Sequence, residues 1–298
     1  MIEVNNLSFE IDGMEVLKDI NLKINKGKIF GIIGPNGVGK TTLLRCLTGI
    51  YNPTLGNVSY DGQIVYDNPA VKNKIGYVAD ENIMHINFKV CEILKYYRYS
   101  YTDFDEEKFN ELNKIFKIPT NKFIFQLSKG MKMRLSIMLA FSIHANYLIL
   151  DEPTSGLDAI LKNKLLKIFV DEVFENNTTI IISSHHLGEL ERICDDVAIF
   201  DEGVISYENS VENMKSKIKK IQVAFDEPVY EEDLNLKGIF KISKVGRVFN
   251  IITDEYDDEF INNLNKFKPL FIEEIDLSLE DIFIYKVDKE DENEEIFK

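Results

Sequence analysis

A glycine-rich segment constrains the fold of this chain more than any other stretch of its sequence. Residues 34–42 read Gly-Pro-Asn-Gly-Val-Gly-Lys-Thr-Thr, which matches the spacing G-x-x-x-x-G-K-S/T. An apolar run precedes the segment at 28–33, and helical apolar spacing follows it at 42–48. In a strand, glycine loop and helix of this kind, successive amide N–H groups surround a polyphosphate. The segment therefore predicts a nucleoside triphosphate site at the start of a helix.

The residues of this loop are the first candidates for contact with a nucleotide. We expect Lys40 to reach the β- and γ-phosphates and the Thr41 hydroxyl to ligate Mg²⁺. The alternative interpretation is a chance Gly-rich turn, which the flanking strand and helix patterns disfavour. The predicted nucleotide-binding residues are Gly34, Pro35, Asn36, Gly37, Val38, Gly39, Lys40, Thr41 and Thr42.

Two carboxylates at the end of a buried strand supply the second part of the predicted site. Residues 147–152 read Tyr-Leu-Ile-Leu-Asp-Glu, and open parallel sheets bind ligands at the carboxyl ends of their strands. We expect Asp151 to hold Mg²⁺ directly or through water, beside Thr41. Glu152 is then placed as the general base that orients and deprotonates an attacking water. The alternative is a strand that ends in a solvated acidic turn.

Strand and helix patterns alternate around these two segments, which predicts a largely parallel α/β core. Residues 2–9 and 16–24 alternate apolar and polar side chains around Asp12-Gly13, as an antiparallel pair does. Helical periodicity predominates at 88–117 and again at 128–144. The predicted fold class is α/β: a P-loop NTPase core with a mainly parallel sheet, an antiparallel β subdomain and a helical subdomain at about 84–144.

The pattern changes beyond residue 208, so we place the nucleotide-binding domain at 1–208. Residues 213–287 predict a small α+β accessory domain, to which we assign a regulatory or assembly role because it carries no nucleotide or metal motif. Its predicted elements are strands at 221–225, 238–243, 247–253 and 270–276 and helices at 256–267 and 279–287. Residues 288–298 form a predicted acidic tail.

Charge and hydropathy exclude some classes of partner. The sequence has 35 Lys and Arg against 50 Asp and Glu, a formal net charge of −15, which disfavours broad attraction to nucleic acid. No apolar run approaches the roughly 18 residues that a membrane-spanning helix needs, and no signal-peptide pattern opens the sequence. We therefore expect a cytoplasmic protein without a nucleic-acid partner, which acts at a membrane only through another chain.

Five motifs in a fixed order resemble the ATPase subunit of an ABC transporter. After the phosphate loop come Leu-Ser-Lys-Gly-Met at 127–131, Leu-Ile-Leu-Asp-Glu-Pro at 148–153, Ser-Gly-Leu-Asp at 155–158 and Ser-His at 184–185. The likeness extends over residues 2–205. It implies that the ligands are ATP and Mg²⁺, and that two ATP molecules lie between the chains of a head-to-tail dimer. The second chain of that dimer is either another copy of this one or a related ATPase subunit.

The segment 127–131 resembles the signature of this family, which is usually Leu-Ser-Gly-Gly-Gln. The resemblance implies that Ser128 and Gly130 face a γ-phosphate bound by the other chain. Ser128 can donate its hydroxyl, and the helix that follows can direct its N-terminus at the anion. Lys129 and Met131 replace the usual Gly and Gln, and Ser-Lys-Gly-Met resembles a variant found in the subfamily that exports drugs, peptides or lipids.

Two further assignments come from the resemblance. Asp158 corresponds to the D-loop, which links the two active sites across the dimer. His185 corresponds to the switch histidine that contacts the γ-phosphate and orients the water, a role that suits a side chain with two ring nitrogens. The adjacent His186 competes for this role, but the register after Ser-Ser favours His185.

Two positions depart from the pattern of the family. Asp80 follows Gly-Tyr-Val-Ala at 76–79, where the family has the glutamine of its Q-loop. An acidic residue there can still bind Mg²⁺ or its water, but it adds negative charge beside ATP. The register also places Ile11 where the family has an aromatic residue that stacks on adenine, and Phe9, on the same strand face, is the other candidate.

The expected function is ATP hydrolysis that drives transport, with export as the expected direction, through a separate transmembrane permease. This chain is expected to lie on the inner face of the cell membrane as a peripheral subunit. Residues 277–283 resemble a closing motif of ABC-2-type exporters, and the aromatic residues of 96–101 with Arg98 have the composition of an interface. One rival is a soluble ABC-type ATPase that acts mechanically on nucleic acid or the ribosome. Another is a regulatory nucleotide-binding module without turnover, against which Glu152 argues.

Overall fold

The buried strand patterns and amphipathic helix patterns of the sequence fold into two units, Met1–Glu208 and Asn209–Lys298, in the computed structural model. The structure describes residues 1–80, 84–226, 229–234, 236–275, 277–279 and 281. Among these residues, no helix combines the length and apolarity that crossing a membrane requires.

The first unit is built from strands and helices that largely alternate along the chain. In chain order its described elements are β1 (Ile2–Ile11), β2 (Met14–Ile24), β3 (Ile29–Ile33), α1 (Lys40–Leu47), β4 (Leu55–Tyr60), β5 (Gln63–Ile64), α2 (Pro69–Lys72), β6 (Ile75–Val78), α3 (Val90–Ser100), α4 (Glu106–Phe116), α5 (Lys129–Phe141), β7 (Tyr147–Asp151), α6 (Ala159–Asn176), β8 (Thr179–Ser184), α7 (Leu187–Leu190), β9 (Asp196–Asp201) and β10 (Val204–Ser210).

A six-stranded sheet in the order β10-β9-β3-β8-β7-β6 forms the centre of this unit. Strand β3 pairs in parallel with β8 and β9, and β7 pairs in parallel with β6 and β8. Every residue of β3, β7 and β8 is buried, as expected for parallel strands covered on both faces. The predicted parallel core is therefore confirmed. Because β3 and β7 run in the same direction, the loop after β3 and the acidic end of β7 meet at one edge of the sheet.

A second sheet, in the order β2-β1-β4-β5, is antiparallel, as the alternating pattern predicted. Asp12 and Gly13 join β1 to β2 with φ angles of 51° and 80°, and two residues with positive φ are what a tight type I′ hairpin turn needs. Apolar side chains of this sheet, such as Leu17, share one core cluster with Phe30 of β3 and Leu44 of α1. The cluster fixes the antiparallel sheet against the phosphate-loop helix.

The region from 88 to 117, where helical periodicity predominates, contains two helices, α3 and α4. Asp105 ends the connection between them, because its carboxylate accepts a hydrogen bond from Lys108 N at 2.8 Å and caps α4. The short helix α2 and the strand β10 were not foreseen from the sequence. Both are brief elements whose polar residues give no strong periodic signal.

The second unit contains a four-stranded antiparallel sheet in the order β12-β13-β11-β14. Ile221, Phe249 and Phe260 are buried in its core, which is separate from the core of the first unit. Its described helices and strands are α8 (Val211–Lys217), β11 (Lys219–Phe225), β12 (Ile239–Val245), β13 (Val248–Thr253), α9 (Asp258–Asn265) and β14 (Pro269–Ile275). Most of the predicted helix at 279–287 and the whole predicted tail lie outside the described residues.

Candidate functional site

The glycines of the phosphate loop are required by its backbone path. Gly39 begins α1 with a φ of 109°, a value that L side chains rarely adopt. A Cβ atom at Gly34 would clash with the carbonyl oxygen of Phe200 in β9. The loop is thus packed against the neighbouring strand and turns sharply into the helix.

Lys40 is held inside this loop. Its Nζ donates hydrogen bonds to the carbonyl oxygens of Gly34 at 2.6 Å and Pro35 at 2.8 Å. Burial lowers the pKa of Lys40, and the nearby carboxylates of Glu152 and Asp151 act in the opposite direction. The two acids therefore favour the cationic form that a phosphate would need.

Asp151 lies between two hydroxyl groups that fix both of its oxygens. Thr41 Oγ1 donates to Oδ2 at 2.7 Å, and Ser183 Oγ donates to Oδ1 at 2.6 Å. The pairing of β7 with β8 sets Asp151 beside Ser183. The sequence predicted that Thr41 lies beside Asp151 but did not identify Ser183, because the contact of Ser183 with Asp151 depends on strand register.

Glu152 follows Asp151 with a φ of +48°, a conformation uncommon for a residue with a side chain. Its backbone N–H donates to Ser183, which holds the turn. His185 Nδ1 lies 3.0 Å from both Glu152 carboxylate oxygens, and Lys40 Nζ lies 3.8 Å from Oε1. The ring that contacts Glu152 is that of His185, whereas His186 contacts the ring of His185 at 4.0 Å between centroids.

Lys40, Thr41, Asp151 and Glu152 line one cavity, which we name the phosphate pocket, and His185 is not among the described residues that line it. Gly34, Pro35 and Val38 are not among the described residues that line it, and Val38 packs against the apolar core. Val16, in β2, was not predicted, since nothing in its strand pattern distinguishes it from a core residue. The phosphate pocket is lined by Val16, Asn36, Gly37, Gly39, Lys40, Thr41, Thr42, Asp80, Asp151 and Glu152.

The donors of the phosphate pocket fit a magnesium nucleotide. The first backbone N–H groups of α1 have no acceptor inside the helix and favour an anion at its N-terminus. Thr41 and Asp151 offer the hard oxygen ligands that Mg²⁺ prefers. The described residues contain no group of three or more His, Cys, Asp or Glu side chains that could hold a metal ion. Mg²⁺ would therefore need phosphate oxygens as well, which is its usual arrangement beside a nucleotide.

The signature residues, which begin α5, are not among the described residues that line the phosphate pocket. Ser128 caps α5, because its Oγ accepts a hydrogen bond from Met131 N at 3.2 Å. A Cβ atom at Gly130 would lie 3.0 Å from the carbonyl oxygen of Gly156. Gly130 is therefore needed for a close backbone approach inside this chain.

Asp158 and Asp80 occupy different surroundings. Asp158 caps α6 by accepting hydrogen bonds from Ile160 N at 3.1 Å and Leu161 N at 3.0 Å, and it does not line the phosphate pocket. Asp80 does line the pocket, and Lys129 Nζ lies 2.9 Å from its Oδ1. No local sequence pattern predicts this pair, because its two members are distant along the chain.

Neither candidate for adenine contact is among the described residues that line the phosphate pocket. The ring of Phe9 stacks on Tyr51, with centroids 5.0 Å apart and an interplanar angle of 6°. Arg45 Nη1 donates to the Tyr51 hydroxyl at 2.8 Å and completes this packed group. Phe9 thus has a structural partner, whereas Ile11 is 39% exposed. Adenine contact by either residue stays a prediction.

Comparisons with known proteins agree with this geometry. Residues 17–155 match the family model described as ABC transporter. The chain is 35% identical to the ABC transporter ATP-binding protein YtrB of Bacillus subtilis, over 96% of this chain and 98% of that protein. It is 31% identical to the methionine import ATP-binding protein MetN of Clostridium acetobutylicum, over 87% of this chain and 86% of that protein.

A solved structure of the ATP binding subunit of an ABC transporter has a similar fold. It superimposes with a TM-score of 0.66 at 25% sequence identity, and the alignment covers 72% of this chain and 92% of that one.

Proposed function

This chain belongs to the ABC transporter ATP-binding proteins, and we propose that it hydrolyses ATP at two sites shared by a head-to-tail dimer, which drive export through a separate permease. Members of this family hydrolyse ATP and power transport. The observation that carries the proposal is the contact of His185 Nδ1 with Glu152 at 3.0 Å, beside Lys40 and Asp151. This arrangement places a proton acceptor next to a phosphate-binding lysine.

The chemistry follows from these side chains. Lys40 binds the β- and γ-phosphates, and Thr41 with Asp151 would hold Mg²⁺, which supplies charge neutralisation at the phosphate oxygens. The Glu152 carboxylate accepts a proton from the attacking water. Protonated His185 donates through Nδ1 to Glu152, which it holds in position, and its second ring nitrogen can donate a hydrogen bond toward the γ-phosphate.

The dimer is proposed because the signature residues are not among the described residues that line the phosphate pocket of their own chain. Ser128 is exposed and begins α5, a helix whose N-terminus favours an anion. The nucleotide that Ser128 and Gly130 contact would lie in the phosphate pocket of a second chain. Either another copy of this chain or a related ATPase subunit satisfies this geometry.

A membrane permease is proposed as the partner that the helical subdomain contacts on the inner face of the membrane. Tyr96 and Tyr99 are 60% and 91% exposed, and aromatic residues are enriched in protein interfaces. Tyr97 and Tyr101 instead stack on each other inside this region, and burial raises the pKa of Tyr97 to about 12. Only part of the aromatic cluster is therefore available to a partner.

Export is proposed because the signature segment and residues 277–283 resemble the corresponding segments of exporters. The relative MetN is named for import, so membership of the family leaves the direction open. Transport assays in vesicles with the permease would decide it.

The proposed mechanism is tested with Glu152→Gln, which removes the proton acceptor but keeps the size of the side chain. We expect this variant to bind ATP, to hydrolyse it at least about 100-fold more slowly, and to form a dimer at saturating ATP in light scattering. Glu175→Gln, which changes an exposed glutamate of α6, is the matched control and should hydrolyse ATP at the wild-type rate. A Glu152→Gln chain that stays monomeric at saturating ATP would contradict the shared site.

A further inference from the structure

Two residues that depart from the family pattern face each other in the structure. Asp80 stands in place of a glutamine, and Lys129 stands in place of a glycine. Lys129 Nζ lies 2.9 Å from Asp80 Oδ1. The contact is an ion pair rather than a directed hydrogen bond, since Oδ1 has no hydrogen-bond partner among the described residues. A neutral pair in the family thus corresponds to a charged pair in this chain.

Lys129 is an unfavourable residue for its local position. It is the first residue of α5, directly after the cap Ser128. The N-terminus of a helix carries partial positive charge, so a cation there is disfavoured. Helix formation therefore gives no reason for a lysine at this position, and the nearby carboxylate of Asp80 does.

Asp80 is equally unfavourable for its own surroundings. It lines the phosphate pocket together with Asp151 and Glu152, whereas Lys40 is the one cation among the described residues that line this pocket. A third carboxylate beside a polyphosphate repels it, since the interaction of two like charges at an effective dielectric of about 20 extends over several ångströms. An adjacent cation would cancel that repulsion.

We propose that Lys129 is a positioning residue for the nucleotide of its own chain: its ammonium group neutralises Asp80 and holds that carboxylate at the edge of the phosphate pocket. This inference rests on the proposed function of the phosphate pocket as an ATP site. It gives the signature segment a second role, in addition to contact with a nucleotide on the other chain.

A role in folding stability alone does not account for the pair. The side chains of Lys129 and Asp80 are 61% and 38% exposed. Ion pairs this exposed contribute little to the stability of a fold. The electrostatic influence of the pair on a bound anion is the larger effect, because ATP carries several negative charges in the same pocket.

The test measures ATP affinity of the full chain by calorimetry in EDTA, so that metal binding by Asp80 does not contribute. We expect Lys129→Ala to weaken ATP binding roughly three- to tenfold and Asp80→Asn to strengthen it by a similar factor. The double variant should return close to the wild-type affinity, and Lys129→Arg should retain it. Raising the salt concentration should shrink the differences, because the effect is electrostatic.

Lys114→Ala is the matched control, since it removes an exposed lysine of α4 that does not line the phosphate pocket. It should bind ATP as the wild type does. Wild-type affinity in Lys129→Ala, or a change in the same direction in Lys129→Ala and Asp80→Asn, would overturn the assignment and leave the proposed function intact. A wild-type chain that binds no ATP would overturn both.

Discussion

The phosphate pocket and the signature segment differ in how completely one chain satisfies them. In the phosphate pocket, Lys40 and Asp151 are 6% and 1% exposed, and each has hydrogen-bond partners in the same chain. In the signature segment, Ser128 is exposed and its hydroxyl accepts a hydrogen bond from the helix that it caps. The contacts of the first region are made within one chain, whereas the second region is an exposed surface.

The two regions are therefore stabilised by different kinds of contact. The pocket is held by strand register and by buried hydrogen bonds within one chain. The signature segment is held by a helix cap and by the close approach of Gly130 to Gly156. Substitutions in the pocket should therefore alter binding or chemistry in a single chain, whereas substitutions of Ser128 and Gly130 should alter what two chains do together.

Lys40→Ala should have the largest effect, because it removes the one cation inside the buried loop. We expect ATP affinity to fall by at least about 100-fold, since the lysine makes charge-assisted contacts with phosphate. Calorimetry of the full chain measures the loss. Lys72→Ala is a matched control, as Lys72 Nζ also donates to a backbone carbonyl, that of Gly49 at 2.9 Å, but does not line the pocket. Equal affinity in Lys40→Ala and wild type would refute the assignment of the loop.

His185→Ala should have the next largest effect and should separate binding from chemistry. Loss of the group that positions Glu152 is expected to lower kcat by roughly 100-fold, with little change in ATP affinity. His186→Ala removes the neighbouring ring and should keep a rate within about threefold of the wild type, since the contact with Glu152 comes from His185. If the two variants lose activity equally, the choice between the histidines is wrong.

Sequence alone predicted most of the phosphate pocket because its motifs are local. The spacing from Gly34 to Thr41 defines a loop at the start of a helix, and the parallel sheet that the pattern predicts brings the end of β7 to the same edge. Fold class and the pairing of Thr41 with Asp151 follow from these two facts. These predictions depend on short-range periodicity and on the rule that ligands bind at the carboxyl ends of parallel strands.

The contacts that sequence did not predict are those between segments far apart in the chain. Ser183 reaches Asp151 through the register of β7 and β8, and Lys129 reaches Asp80 through the packing of the helical subdomain. Neither position carries a local pattern that reveals its partner. Phe9 is a similar case, since its stacking on Tyr51 depends on how α1 leads into the next strand.

Ser128 provides the most sensitive test of the comparison. Capping a helix and contacting a phosphate are two roles that predict different rankings of the Ser128 variants. Ser128→Ala loses the cap and should destabilise the chain by about 1 kcal/mol. Ser128→Asp keeps a capping oxygen, so it should melt near the wild-type temperature. If the signature segment faces a phosphate of the other chain, the added negative charge repels it.

We therefore expect the rate of ATP hydrolysis to fall roughly tenfold in Ser128→Ala and further in Ser128→Asp, although Ser128→Asp is the more stable protein. Affinity for ATP in the monomer should change little in both, because Ser128 does not line its own phosphate pocket. Asp105→Ser, which exchanges a capping residue at the start of α4, controls for helix capping and should leave the rate unchanged. If the rates of ATP hydrolysis of these variants rank in the same order as their melting temperatures, then Ser128 only caps its helix and contacts no phosphate of the other chain.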